Sequence, residues 1–331
     1  MARRANSSKK KGSGFSVSTV FDVASSAKES LDSMDAEVRI RVHVGTGVAR
    51  GLVLATKEAL TAERPGGSVE VMGLEVPAAS AADPDAVVVL AAADEPGAGP
   101  LVRYYLACGV PCALVAESAL DADGLGAGNE ALFGVVSAST PDALPPKLGA
   151  WLASQVDNKV ALAANFACCR QAVIDSLAKT CAAENAAIGA FAFIPGSDFP
   201  LMTVSQAKLA LDIAAAYGRG VEPSRAAELV GVVGLGLAYR GLARTVAGLV
   251  PGAGWALKGA MGFAGTLATA KAVQARFEAG DLLGKRAEGD SGKKSKAPSE
   301  PVIVRLPAAS GDAEVSGRDA YLVIGDDRGA R

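Results

Sequence analysis

The sequence predicts a parallel α/β sheet wound on both faces, followed by an all-α, glycine-rich segment. Three observations carry this. Ala86-Val-Val-Val-Leu90 and Val110-Pro-Cys-Ala-Leu-Val115 are continuous apolar runs of strand length, as suits strands buried on both faces. Short β-like runs alternate with helix-compatible stretches from Glu37 to about residue 151. Beyond Leu144 the apolar residues recur every three or four positions instead.

The elements follow in order. Residues 1–36 read as a basic, mostly disordered tail, with Arg3, Arg4, Lys9, Lys10 and Lys11 at its start. No apolar run follows that start, which argues against a secretory signal. Phe15, Val17, Val20, Phe21, Val23 and Leu31 are spaced as a weak amphipathic helix, with Lys28 and Glu29 on its polar side, whose apolar stripe a partner or a membrane surface could take. Val38-Arg-Ile-Arg-Val-His-Val44 alternates apolar and polar residues and reads as the first strand. Gly45-Thr-Gly47 turns into a helix that extends towards Glu63, and Ser68–Met72 is the second strand. Leu101–Cys108 is a helix ended by Gly109, and Leu132–Val136 a last short strand.

Residues 152–280 form the helical part. Leu152, Val156, Val160, Ala163, Ala167, Ile174, Leu177 and Cys181 give one apolar stripe along a single long helix from about Leu144 to Ala190. The Phe193–Leu201 loop holds two prolines. Thr203–Tyr217 is a helix with Gly218 placed as its left-handed cap. Pro223 suits the first turn of a helix running to Val250; Pro251-Gly-Ala-Gly254 turns the chain, and Trp255–Phe277 returns antiparallel. Residues 281–331 read as linker and tail, with a Lys293, Lys294, Lys296 cluster and β-like islands at Pro301–Leu306 and Tyr321–Gly325.

Composition narrows the function classes. The chain has 331 residues, about two domains' worth, and its net charge of −2 argues against a dedicated nucleic-acid binder. Aromatic residues are only 5% while Gly numbers 38, so packed helices are favoured over a ring-lined pocket. Cys108, Cys112, Cys168, Cys169 and Cys181 are irregularly spaced in apolar sequence and read as buried reduced thiols, with Cys168 and Cys169 pointing apart on a helix. With one histidine, His43, on an alternating strand, neither a zinc site nor a Ser/His/Asp triad is indicated.

The segment 37–151 resembles a bacterial small GTPase domain of the Era-like kind. Residues 152–280 resemble the helical domain of unknown function six-nine-seven, which such GTPases carry at their C-terminus and which is similar to YcjF-like inner-membrane proteins. The positions that carry this second resemblance are Pro195, Asp198, Gln206, Tyr217, Gly218, Pro251, Gly252 and Gly254. The resemblance implies a degenerate P-loop GTPase-like sheet, because the nucleotide-handling residues are missing. A phosphate loop needs glycines, a lysine and a Ser/Thr for Mg²⁺. Gly45-Thr-Gly-Val-Ala-Arg-Gly51 keeps Gly45, Gly47 and Gly51, but Arg50-Gly51, or Gly51-Leu52 with a one-residue shift, stands where the Gly-Lys pair is needed, and no hydroxyl follows. Glu75-Val-Pro-Ala78 stands in place of the metal-coordinating Asp-x-x-Gly, and Ala116-Glu-Ser-Ala119 in place of the guanine-reading Asn-Lys-x-Asp. Ser137-Ala138 alone matches the last element.

No catalytic residue, cofactor or metal is therefore assigned. The expectation is a non-catalytic adaptor or regulatory protein, with a pairing to a true GTPase among its possible partners. A nucleotide-binding GTPase using Arg50 and Glu75, or a soluble helical scaffold, are the alternatives. Localisation turns on the glycine-rich helices. Leu229–Tyr239 is uncharged, but Arg240, Arg244, Lys258 and Lys271 interrupt any run of about 18–20 apolar residues. Gly231, Gly234, Gly241, Gly248, Gly259, Gly262 and Gly265 each cost about 1 kcal/mol in a helix relative to Ala, so they need a packing reason. The resemblance favours association with the cytoplasmic face of the inner membrane, or with a partner helix bundle, over a purely cytoplasmic chain.

Overall fold

The structure is a computed structural model and describes residues 17–77, 83–93, 95–122, 131–191, 198–220 and 254–288. Five strands form one sheet: β1 (Val38–Val44), β2 (Gly67–Met72), β3 (Ala86–Leu90), β4 (Cys112–Ala116) and β5 (Phe133–Ser137). All neighbours are parallel and the order is β2-β1-β3-β4-β5. The helices are α1 (Val17–Met34), α2 (Arg50–Ala59), α3 (Ala98–Ala107), α4 (Leu144–Gln155), α5 (Lys159–Asn165), α6 (Ala167–Phe191), α7 (Asp198–Ala216) and α8 (Gly254–Glu288).

The apolar runs explain the sheet. Every residue of β3 and β4 is buried, with Val87, Val89, Cys112 and Leu114 packing on one face against α3. Val38, Ile40, Val42, Val88, Leu90, Ala113 and Val115 point to the other face, towards α2, α4 and the remaining helices. Here β1 departs from expectation. Its alternation suggests a half-exposed strand, yet Arg41 and His43 are buried and only Arg39 is exposed. α3 covers this face of β1 beyond Arg39, so Arg41 and His43 must find partners inside.

The boundary drawn at residue 151 cuts through α4 and through one continuous core. That core runs from Ile40 and Val42 through Leu144, Leu148 and Leu152 to Val173, Leu209 and Val273. Fully burying each of the three leucines contributes about 1.5–3 kcal/mol. Two glycines make the seam possible. A Cβ on Gly134 of β5 would lie 2.0 Å from the Trp151 indole nitrogen, and one on Gly149 of α4 would lie 2.0 Å from the Cys168 carbonyl oxygen.

The single helix expected over 144–190 is three. Val156 (ψ 128°) and Phe166 (φ −122°, ψ 106°) are extended, so the chain turns at buried apolar residues that leave the three-four spacing undisturbed. The N-terminal tail is also shorter than expected. Its second half is α1, which packs on α7 and α5 of the same chain. Ser26, Ser30 and Met34 are buried there, and the Ser30 hydroxyl donates a short hydrogen bond to Asp212. Two of those three side chains are polar, so the docking face does not show as an apolar stripe.

α7 begins at Asp198, five residues before the expected start, with Pro200 in the first turn where no backbone N–H is needed. It ends as expected: Gly218 has φ +67°, its N–H reaches Ala215 O at 2.7 Å and the Arg219 N–H reaches Ala214 O at 3.1 Å. α8 continues to Glu288, past the boundary at 280. Its glycines meet protein: a Cβ on Gly262 would lie 2.7 Å from Asn185 O, and one on Gly259 would lie 3.2 Å from Ala186 O. The helix Pro223–Val250, the Phe193–Gly196 turn, Pro195, Pro251, Gly252 and both β-like islands lie outside the described residues. Among the described residues no helix is long and apolar enough to cross a membrane.

Candidate functional site

In a sheet of this order, successive strands are added to one side of β1 and then to the other. That reversal lies at the carboxyl ends of β1 and β3, the place where open sheets of this kind bind ligands. The Gly45 N–H bonds to Leu90 O at 2.8 Å and ties the two strand ends together. Beyond it, the backbone N–H groups of Thr46, Gly47 and Ala92 converge, and they converge on a carboxylate of the same chain. Glu95 Oε1 accepts from the Thr46 N–H, from the Gly47 N–H at 3.0 Å and from the Thr46 hydroxyl at 3.1 Å. Glu95 Oε2 accepts from the Ala92 N–H at 3.0 Å.

Each part has a local cause. A Cβ at Gly45 would sit 2.1 Å from Glu95 Oε2, so any side chain there would push the carboxylate out of this place. Gly97, at φ +97°, is the residue before α3, and a Cβ there would lie 2.9 Å from Leu74 O. The Ala92 amide first, and the Gly47 and Thr46 donors after it, hold the Glu95 carboxyl below the usual carboxylate range.

The sequence candidates separate. Gly45 and Gly47 line the cradle. Arg50 and Gly51 follow as the first residues of α2, with Arg50 exposed and Gly51 facing the Pro141 ring. Glu75 is exposed on the segment after β2. Glu95 and Ala92 are absent from the sequence reading, and little could have found them. All three donor residues act through backbone amides, and a glutamate before a helix is ordinary.

A second polar cluster lies on the α3 face of β1. His43 Nδ1 sits 2.6 Å from Gly73 O and must carry the proton, so His43 Nε2 accepts from the Tyr105 hydroxyl at 2.8 Å. That hydroxyl oxygen accepts from Arg41 Nη1 at 3.3 Å, and Arg41 Nε donates to Glu70 at 2.8 Å. Burial pushes the His43 ring below its ordinary value, with the Arg41 charge acting in the same direction. Burial also raises the Tyr105 phenol. Every ring nitrogen is occupied, so His43 is structural.

Two of the helical motif positions, Gln206 and Tyr217, are packed against neighbouring helices. Gln206 is buried, with Nε2 3.4 Å from Thr266 Oγ1. Tyr217 stacks on Phe277 at 5.4 Å, beneath the Arg170 guanidinium at 5.1 Å, and its hydroxyl reaches Glu278 at 3.2 Å. Asp198 opens α7 and Gly254 opens α8. The cysteines differ from expectation in two ways. Cys108 is exposed and Cys168 partly so, and the Cys168 and Cys169 sulfurs lie in contact at 3.6 Å instead of diverging. Burial pushes the Cys112 thiol up to about 12. Among the described residues no three His, Cys, Asp or Glu side chains group as metal ligands would.

The cradle can hold one oxyanion on neutral donors, and it holds its own. Compared with known protein families, the sequence matches no family model, and no curated protein is significantly similar to it.

Proposed function

We propose that this chain is a non-catalytic adaptor or regulatory protein whose α/β part is a degenerate GTPase-like domain. One observation supports the reading above the others: the amide donors at the β1–β3 reversal, where such a sheet would receive a phosphate, are taken by Glu95. A triphosphate would have to displace a carboxylate held by four hydrogen bonds, and no lysine stands in the Gly45–Gly51 loop to compensate it. Its partner is the cytoplasmic face of the inner membrane or a helix bundle, including that of a true GTPase. Contact with the membrane rests on the uncharged Leu229–Tyr239 run, since Gly259 and Gly262 already pack on α6.

Equilibrium binding of labelled GTP and ATP with Mg²⁺ tests the reading. No saturable binding below millimolar nucleotide is expected. Micromolar GTP affinity that Arg50→Ala abolishes would overturn it. Carbonate-washed membrane fractions test the location: retention is expected, and release into the supernatant removes the membrane from the proposal.

A further inference from the structure

The cradle is built as an anion receptor and not merely as a turn. Its donors come from two separate strand exits, Thr46 and Gly47 after β1 and Ala92 after β3, and all face one point. The strand ends that carry them are pinned by the Gly45 to Leu90 bond and by the parallel pairing of β1 with β3. Backbone amides neither ionise nor swing away, so a concavity of this kind keeps a positive potential whether or not an anion is in it. The volume is kept clear as well, since Gly45 presents no Cβ to the oxygen that sits there.

We infer that this is an oxyanion site whose resident ligand is the chain's own Glu95, and that vacating Glu95 exposes a site for phosphate or sulfate. The inference rests on the reading of the α/β part as a nucleotide-free relic of a phosphate-binding sheet. The chemistry sets the ligand class. A tetrahedral oxyanion offers two oxygens to the Thr46/Gly47 pair and to Ala92, as the carboxylate does, and leaves further oxygens towards solvent. All the donors are neutral, so affinity is modest and needs no metal. The donors are three main-chain amides and one hydroxyl converging on one point, enough to hold one oxyanion group and no more, so inorganic phosphate binds as well as a nucleotide does. In the native chain Glu95 is covalently tethered and competes at high effective concentration, which keeps the site closed.

The test compares the wild type, Glu95→Ala and Glu95→Gln, titrated with sodium phosphate, sodium sulfate or GDP at constant ionic strength. Binding is read by the Thr46 and Gly47 amide resonances and by the melting midpoint. In Glu95→Ala, phosphate and sulfate are expected to move both resonances saturably, with a Kd on the order of 1 mM, and GDP to be no tighter than phosphate. The wild type is expected not to respond. Adding Thr46→Val to Glu95→Ala is expected to weaken phosphate several-fold, because the hydroxyl donor goes. Should Glu95→Ala not fold, Glu95→Gln keeps the side chain's size, and its melting midpoint is expected to rise with phosphate where the wild type's does not. The inference is overturned if neither variant responds saturably, or if the wild type responds as strongly as they do. Failure here leaves the pseudo-GTPase reading standing, whereas micromolar GTP binding by the wild type removes that reading and not the anion site.

Discussion

The two polar clusters of the α/β part are built in opposite ways. At the end of β1, one carboxylate is held by backbone amides at a partly exposed site. In the middle of β1, Arg41, Tyr105 and His43 hold one another through side chains in the buried interior. The first arrangement places its donors whatever the neighbouring side chains are, and a different anion can enter it. The second is closed: Tyr105 links Arg41 and His43, which Glu70 and the Gly73 carbonyl hold from the other side, and removing one group takes a hydrogen bond from its neighbours. Only the exposed cluster is a receptor; the buried one is part of the scaffold that fixes β1, the residue after β2, and α3 in register.

The largest effect comes from the core that both clusters lean on. Leu152→Ala removes a fully buried side chain at the seam between sheet and helices and is expected to cost about 2–5 kcal/mol. Urea unfolding followed by circular dichroism and by Trp151 fluorescence is expected to shift as one transition. If the α/β part and the helices melted separately, the continuous core would be wrong, and the boundary at residue 151 would be restored.

Next come substitutions that set the clusters against each other. Tyr105→Phe leaves Arg41 and His43 each short of a partner inside the protein and is expected to cost about 1–3 kcal/mol. The clusters also differ in pH window. His43 is held below its ordinary value of 6.5, so the unfolded chain takes up the proton first. The stability tied to keeping it neutral is complete above 6.5 and falls as pH drops below it. Arg41, Glu70 and Tyr105 face the ring, and Arg41 sharpens the effect. Glu95 lies below its ordinary 4.5, so its contribution is present above 4.5 and is lost as pH falls through the lower folded value. Equilibrium unfolding across pH 3–7.5 is thus expected to show an earlier loss absent in His43→Gln and a later, smaller one absent in Glu95→Gln. A single step untouched by His43→Gln would show that the buried ring does not carry the earlier loss.

What the sequence makes legible follows the same division. The continuous runs Ala86–Leu90 and Val110–Val115 declare buried parallel strands because burial on both faces leaves no alternation, and Gly218 declares its cap because few other residues take φ +67°. The seam is hidden because Gly134 and Gly149 act by what they lack, and the breaks at Val156 and Phe166 because the apolar spacing continues across them. Glu95 is hidden for a stronger reason: most of its partners are main-chain amides, which have no letter in a sequence.

The smallest effect separates ion pairs from buried contacts at α1. Lys208 reaches Glu29 at 2.7 Å, but both side chains are well exposed, 40% and 62%. Solvent screens such a pair, so Lys208→Ala is expected to change global stability by only about 0–1 kcal/mol. What holds α1 on α7 is then the buried Ser30 to Asp212 hydrogen bond and the packing of Met34. Burial raises the Asp212 carboxyl, with the Ser30 hydroxyl pulling the other way, so that donor cannot be removed as lightly as the lysine. Hydrogen exchange over residues 25–34 measures the difference: protection is expected to survive Lys208→Ala and to drop in Ser30→Ala. Loss of protection in Lys208→Ala would show that the exposed ion pair, and not the buried contact, docks the helix.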